Sequence, residues 1–254
     1  MLTQQRKQYI LEALATEGQV IAKTLAQRWE VSEDTIRRDL RELAKEGLLQ
    51  RVHGGALPAS AAISNFGNRQ HIAMEEKSLI AKSAIDLIQP GQTIFLDGGT
   101  TTLQLAHQLP TDLNITVVTH SPTIAVELVA HPQVEVVLLG GRLFKHSVVT
   151  VGAVAMEAVA QRRTDLYFMG VTGIHPTFGF TTGDMEEACM KRAISRQAAE
   201  TVVMASSEKI GVVSPCLIMS LNEASSIILG AEVADEVLEP YSTMGVNLIR
   251  ISAK

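Results

Sequence analysis

The residues best equipped for chemistry in this chain stand in one short stretch, Leu96-Asp97-Gly98-Gly99-Thr100-Thr101. It closes an apolar run and opens a helical one. Glycines there let the backbone approach a ligand, and free N–H groups at a helix start favour an anion. Thr100 and Thr101 add hydroxyl donors, and Asp97 can accept from a sugar hydroxyl. The same residues also suit an ordinary strand-to-helix turn, and the local sequence leaves both readings open. The stretch is not a dinucleotide fingerprint, because Gly98, Gly99 and the threonines do not supply G-x-G-x-x-G, and it lacks the G-K-[ST] of a P-loop.

Stepping outward, the elements that must position these residues alternate. Apolar strand runs are expected at Thr93–Asp97, Ile115–Thr119, Val134–Leu139, Leu166–Gly170, Thr201–Ala205, Ser226–Leu229 and Val246–Ile251. Helical patterns fall between them, at Thr101–Leu109, Thr123–Ala130, Gly152–Ala160, Met185–Ala199 and Glu232–Leu238. Continuous apolar strands alternating with helices imply an α/β fold with a mostly parallel, Rossmann-like sheet. Ligands of such sheets gather at the carboxyl ends of strands. Further loops stand at those ends: Thr119-His120-Ser121, Gly140-Gly141, and Gly170 with Thr172-Gly173. Lys191, on the helix after Gly183, is a candidate cation for a phosphate. Taken alone, the Lys191-Arg192 pair reads more readily as a solvated helix face.

The first 58 residues read differently. Three helices, the last from Glu33 to about Glu46, are followed by a strand at Leu48–Val52, a turn at His53-Gly54-Gly55 and a return strand at Ala56-Leu57. Ile21, Leu25 and Trp29 give the second helix one apolar face. Glu30-Val31-Ser32 is a three-residue turn, and Ser32 is a good N-cap with Glu33 and Asp34 in the first helical turn. This is the order of a winged helix-turn-helix. On the third helix Ile36, Leu40 and Leu43 form one stripe; Arg38, Arg41 and Lys45 project opposite it, flanked by Thr35 and Arg37. Asp34, Asp39 and Glu42 partly neutralise that face. Ser32, Thr35, Arg37, Arg38 and Arg41, with Arg51 and His53 of the wing, are therefore the candidate DNA contacts, since arginine pairs bidentately with guanine or phosphate.

Charge and composition bound the alternatives. The net charge is −5 overall, yet residues 1–58 carry +1 and the remainder −6, so the whole-chain value is a poor guide to partners. At 46% hydrophobic and 19% charged the chain is not disordered. No apolar run approaches the roughly 18 residues of a membrane helix, and the N-terminus shows no signal peptide. Two cysteines, Cys189 and Cys216, are too few for a disulfide framework and suit a cytoplasmic setting. The seven histidines show no metal-ligand spacing, no nucleophile elbow is present, and nothing calls for a metal, a cofactor or a catalytic residue. The expected division is a DNA-binding unit at 1–58, a linker at 59–72 rich in small and polar residues, and a ligand-sensing, oligomerising unit at 73–254.

The stretch VSEDTIRRDLRELAKEGLLQRVHGGA resembles the DNA-binding signature of the DeoR family of bacterial transcriptional regulators, and LDGGTTT, VVTHS, LLGG and MKRAI follow in the family order. The resemblance implies a repressor of a carbohydrate-catabolic operon. It also implies a second domain similar to ribose-5-phosphate isomerase that senses a phosphorylated sugar. It places ligand contacts at Asp97, Thr100, Thr101 and Lys191, further ones at Thr119 and Gly141, and matches Lys209 in ASSEKIG; Gly98, Gly99, His120 and Gly140 complete the candidate effector set. Two departures bear on the effector's identity: His120 where many relatives have Asn, and Ser206 where many have Asp. The expected partners are double-stranded operator DNA, a sugar phosphate and further copies of the chain, as dimer or tetramer. The alternative is a sugar-phosphate isomerase with an accessory DNA-binding domain, for which Asp97, Glu186 and Glu187 are the available carboxylates.

Overall fold

The computed structural model describes residues 2–60, 64–230 and 233–251. Residues 61–63 of the expected linker and Glu232, expected to open the last helix, lie outside them.

The N-terminal unit is built from α1 (Thr3–Glu17), β1 (Val20–Ile21), α2 (Ala22–Arg28), α3 (Glu33–Lys45), β2 (Leu49–Val52) and β3 (Gly55–Pro58). Gly18 ends α1 in the left-handed conformation and returns its N–H to Leu14 O at 3.1 Å, a glycine stop. Ile10, Leu14, Leu25, Ile36, Leu40 and Leu43 share one core. Ile21 departs from expectation: it is half exposed, and with Val20 forms a third strand, so that the sheet order is β1-β3-β2. A β-branched pair pointing Val20 inward satisfies a strand better than the first turn of a helix. Gly55 permits this pairing, because a Cβ there would sit 1.9 Å from Val20 O.

The larger unit opens with α4 (Phe66–Arg69), within the expected linker, and α5 (Met74–Ile85). Then come β4 (Thr93–Leu96), α6 (Thr100–Gln108), β5 (Ile115–Thr119), α7 (Pro122–Glu127), β6 (Val134–Leu138), β7 (Arg142–Phe144), β8 (Val149–Val151) and α8 (Ala153–Ala160). The chain continues through β9 (Thr164–Gly170), β10 (Gly173–His175), β11 (Gly179–Thr182), α9 (Met185–Ser195), β12 (Ala198–Ala205), β13 (Cys216–Met219), β14 (Ser226–Leu229), α10 (Asp235–Ser242) and β15 (Asn247–Arg250). The seven strands expected from apolar runs form one sheet of order β15-β14-β12-β9-β4-β5-β6, every pair parallel. Alternate residues fill two cores: Phe95, Tyr167 and Val203 face one side, Ile94, Phe168 and Met204 the other. Both faces are covered, which is why these strands read as unbroken apolar runs.

Helix α9 stops at Ser195 rather than reaching Ala199, and Ala198 already pairs with Thr164 in the sheet. Two small antiparallel features, the β7–β8 hairpin and the β10-β11-β13 sheet, were not marked by any apolar run. Their strands are three or four residues long. No helix among the described residues is long and apolar enough to cross a membrane.

Candidate functional site

Two surfaces gather the residues singled out above. The first is the outer face of α3 with the wing. Ser32 caps α3, accepting from Thr35 N at 3.2 Å, and its hydroxyl lies 2.8 Å from that of Thr35. Arg37 is paired with Glu33 at 2.7 Å. Arg38 and Arg41 are exposed and have no hydrogen-bond or ion-pair partner among the described residues, as do Arg51 and His53 on the wing. Arg37, Arg41, Arg51 and His53 line one cleft between α3 and the turn at Gly54. Asp39 does not neutralise this face: it is fully buried against Arg6 of α1. Glu42 turns to Lys7 at 3.0 Å while still acting on the nearby Arg38 and Lys45 charges. Two acids at i and i+3 thus fasten α3 to α1.

The second surface lies at the carboxyl ends of β4 and β9. Beyond β4 the sheet runs on through β5 and β6; the chain then returns to the other side of β4 with β9. This reversal of strand order opens a crevice, the preferred ligand position of open α/β sheets. Gly98–Thr102 enter it from one strand end and Gly170–Thr172 from the other. Helix α6 starts there with Gly99 as N-cap and no capping side chain, so its first-turn N–H groups are left for a ligand.

Asp97 sits beneath the crevice floor and is fully buried. Its carboxylate accepts from Gly98 N and Gly170 N, each at 2.9 Å, from His120 Nε2 at 2.9 Å, and from Lys191 Nζ. Burial acts to raise its pKa, but the Lys191 ammonium and the His120 hydrogen bond outweigh burial and hold it at about 2. Asp97 is therefore occupied in aiming Lys191. Lys191 reaches the crevice wall, where Glu187 approaches it at 3.6 Å.

Of the expected effector residues, Gly98, Gly99, Thr100, Thr101, Lys191 and Lys209 line the crevice. Asp97, Thr119, His120, Gly140 and Gly141 do not reach it. Thr119 is fully buried and donates to Leu96 O at 2.7 Å. His120 bridges Asp97 and the Thr150 carbonyl, each at 2.9 Å. Gly141 packs 3.0 Å from Val151 O, measured from where a Cβ would stand, and Gly140 is part of the same turn into β7.

Arg69, Lys77 and Thr182 also line it and were not singled out by the sequence, and Glu187 was named only as an available carboxylate. Arg69 lies in the expected linker and Lys77 on α5; no spacing marked either. Lys77 is buried and donates to Arg69 O at 2.8 Å. Lys209 is buried too, and burial lowers its pKa to about 8. Arg69, Lys77, Lys191 and Lys209 so converge around a free volume of about 20 Å³, room for about one water. Around it Thr101 Oγ1, Thr182 Oγ1, Arg69 Nε and Glu208 Oε2 are buried with no hydrogen-bond partner among the described residues. Each such group costs about 1–3 kcal/mol; four lining one crevice mark a surface shaped for a polar ligand. Four cations, two carboxylates (Glu187 and Glu208) and an uncapped helix start line it together.

Comparison with known proteins finds two family matches. Residues 6–61 match a DeoR-like helix-turn-helix domain and residues 72–231 a DeoR C terminal sensor domain. The HTH-type transcriptional regulator GlpR of Haloferax volcanii is 34% identical over 98% of both chains. The glycerol-3-phosphate regulon repressor of Escherichia coli is 33% identical over 82% of both. Among solved structures, ribose 5-phosphate isomerase A of Methanocaldococcus jannaschii aligns over 57% of this chain and 55% of its own, with 16% identity and a TM-score of 0.40, a likeness too slight to argue from.

Proposed function

Because the chain belongs to the DeoR family of transcriptional regulators, we propose that it is a repressor of a carbohydrate-catabolic operon, released from its operator by a phosphorylated sugar. It is a DNA-binding regulator with a sensor domain, not an enzyme. The observation that carries the effector reading is the convergence of Arg69, Lys77, Lys191 and Lys209 on the uncapped start of α6. The isomerase alternative needs a carboxylate base: Asp97 is held at about 2 and bonded by four donors, Glu186 pairs with Arg142 outside the crevice, and Glu187 is already engaged by Ser147 and Lys191. The relatives named as regulators and repressors, including a glycerol-3-phosphate regulon repressor, favour the same conclusion.

On DNA, α3 enters the major groove while Arg51 and His53 of the wing meet the backbone or minor groove. The chain acts in the cytoplasm as a dimer or tetramer, because one winged domain buries too little surface for operator-grade affinity. The effector must bind the DNA-free arrangement more tightly than the DNA-bound one, with a coupling of about 1–3 kcal/mol that appears equally in both directions.

Fluorescence anisotropy on operator and random duplexes tests the reading. Arg38→Ala and Arg41→Ala, both unpaired, should each cost about 1–3 kcal/mol on operator and relax its sequence preference. Arg37→Ala should cost less, since Arg37 is already engaged with Glu33. Equal losses on both duplexes would reduce the arginines to phosphate contacts. Operator binding unmoved by any phosphorylated sugar would overturn the sensor reading.

A further inference from the structure

A second cavity adjoins the crevice. Its free volume is about 130 Å³, and it is lined by Phe144, His146, Ser147 and Asp184 together with residues that also line the crevice. Arg69, Thr172, Thr182 and Glu187 belong to both walls. The two cavities are thus lobes of one space that meet at these four side chains.

The lobes differ in chemistry. The inner one carries Lys77, Lys191, Lys209 and the start of α6. The outer one has the carboxylates Glu187 and Asp184, the hydroxyl of Ser147, the His146 ring, and Phe144, whose ring lies 5.8 Å from that of His146. At the junction Thr182 is fully buried and its hydroxyl has no partner among the described residues, as is true of Arg69 Nε. Carboxylates and hydroxyls beside one apolar face recognise a polyol, which presents O–H donors along its length and C–H groups between them. Against the roughly 30 Å³ that a water occupies, the outer lobe has room for several hydroxyl-bearing carbons.

We propose that the site is bipartite: the phosphate enters the inner lobe, and a hydroxylated chain passes Thr182 and Glu187 into the outer lobe, where the His146 ring and the Asp184 carboxylate oxygen not engaged in capping α9 read its distal hydroxyls, beside Ser147, whose hydroxyl donates to Glu187 at 3.2 Å. The effector is then a five- or six-carbon sugar or polyol phosphate, not a three-carbon one. This rests on the reading of the crevice as a phosphate site.

Isothermal titration of the full chain with inorganic phosphate, glycerol 3-phosphate, ribose 5-phosphate, fructose 6-phosphate and glucitol 6-phosphate decides it. At least one of the longer compounds should bind tenfold or more tighter than glycerol 3-phosphate. Thr182→Val and His146→Ala should each remove most of that gain while changing glycerol 3-phosphate affinity less than twofold. Thr182→Val, which removes an unpaired buried hydroxyl, should not lower the ligand-free melting temperature, so its loss of affinity is not a folding defect. Glycerol 3-phosphate binding as tightly as every longer compound would overturn the bipartite site and leave the phosphate reading standing. So would variants that weaken all probes by one factor. Failure of every probe, inorganic phosphate included, would overturn both.

Discussion

At the scale of single residues, two lysines in one crevice have opposite balances. Lys191 is paired with a buried carboxylate, so Lys191→Ala leaves Asp97 charged and short of its partner. Removing one member of a buried pair costs about 3–5 kcal/mol, so the variant should melt at a clearly lower temperature and is a poor probe of effector binding. Lys209 has no ion-pair partner among the described residues, and burial first, then the nearby Lys77 and Arg69 charges, depress it to about 8. Lys209→Met should leave the melting temperature at pH 7 unchanged or higher while weakening phosphate binding tenfold or more, read by calorimetry and thermal unfolding together. A fall in stability as large as that of Lys191→Ala would show that Lys209 is part of the core instead. The pH dependence follows from the same depression. An anion favours the charged amine, so binding at pH above about 8 must take up a proton, and affinity should fall as pH rises through 8. Between about 8 and the ordinary lysine value the unfolded chain binds more protons than the native one, so ligand-free stability rises with pH across that window. Affinity independent of pH from 7 to 9.5 would remove Lys209 from the phosphate lobe.

Among the elements, the reading helix depends on how α3 is fastened to α1. Its apolar stripe supplies burial, and the Arg6–Asp39 pair fixes the contact from the polar side. Asp39→Asn removes the buried negative charge that Arg6 pairs with and should destabilise the N-terminal unit by about 3 kcal/mol. Circular dichroism of that variant should show an earlier melting phase, with operator binding lost at temperatures where the sensor unit is intact. Operator affinity preserved at the wild-type level would show that the pair contributes no more than a surface bridge. The crevice has an element-level cause as well. Gly98 must lack a side chain because a Cβ would stand 2.0 Å from Val149 Cγ1. The β7–β8 hairpin thereby presses the turn after β4 into place beneath α6.

Over the whole molecule, the connection between the two units is itself part of the pocket wall. Ser60 donates to the Thr172 carbonyl, and Ala59 bridges Val213. Phe66 N donates to His146 O at 2.9 Å, and Arg69 lines both lobes. Thr172 in turn donates to Ser214 at 2.7 Å. A free volume of about 20 Å³ does not hold a phosphate, so binding must displace lining side chains, and several of those belong to this connection. Ser60→Ala should therefore leave operator affinity and effector affinity each near normal while reducing the change that one makes in the other. Anisotropy titrations at zero and saturating effector measure it; a coupling equal to wild type would exclude this contact as a route between the sites.

The sequence by itself determined the winged helix-turn-helix, the parallel sheet and the glycine-rich turn that opens α6. In each the signal is local: a cap and turn at Ser32, an apolar stripe at Ile36 and Leu40, unbroken apolar runs for strands covered on both faces. It also pointed to Lys191 and Lys209, through motifs that resemble a family rather than through any spacing of charge. Only the tertiary structure decided which polar residues face the ligand and which hold those that do. Asp97 and His120 carry the chemistry of a binding site but spend their hydrogen bonds beneath its floor, whereas Arg69 lay in the expected linker and nothing in the sequence marked Lys77 or Thr182. Asp39 read as an exposed acid and is a buried one. The reason is physical: whether a buried charge serves a ligand or a neighbour depends on partners 33 to 94 residues away along the chain. Periodicity reports only which side of an element is covered, never which distant group it meets there.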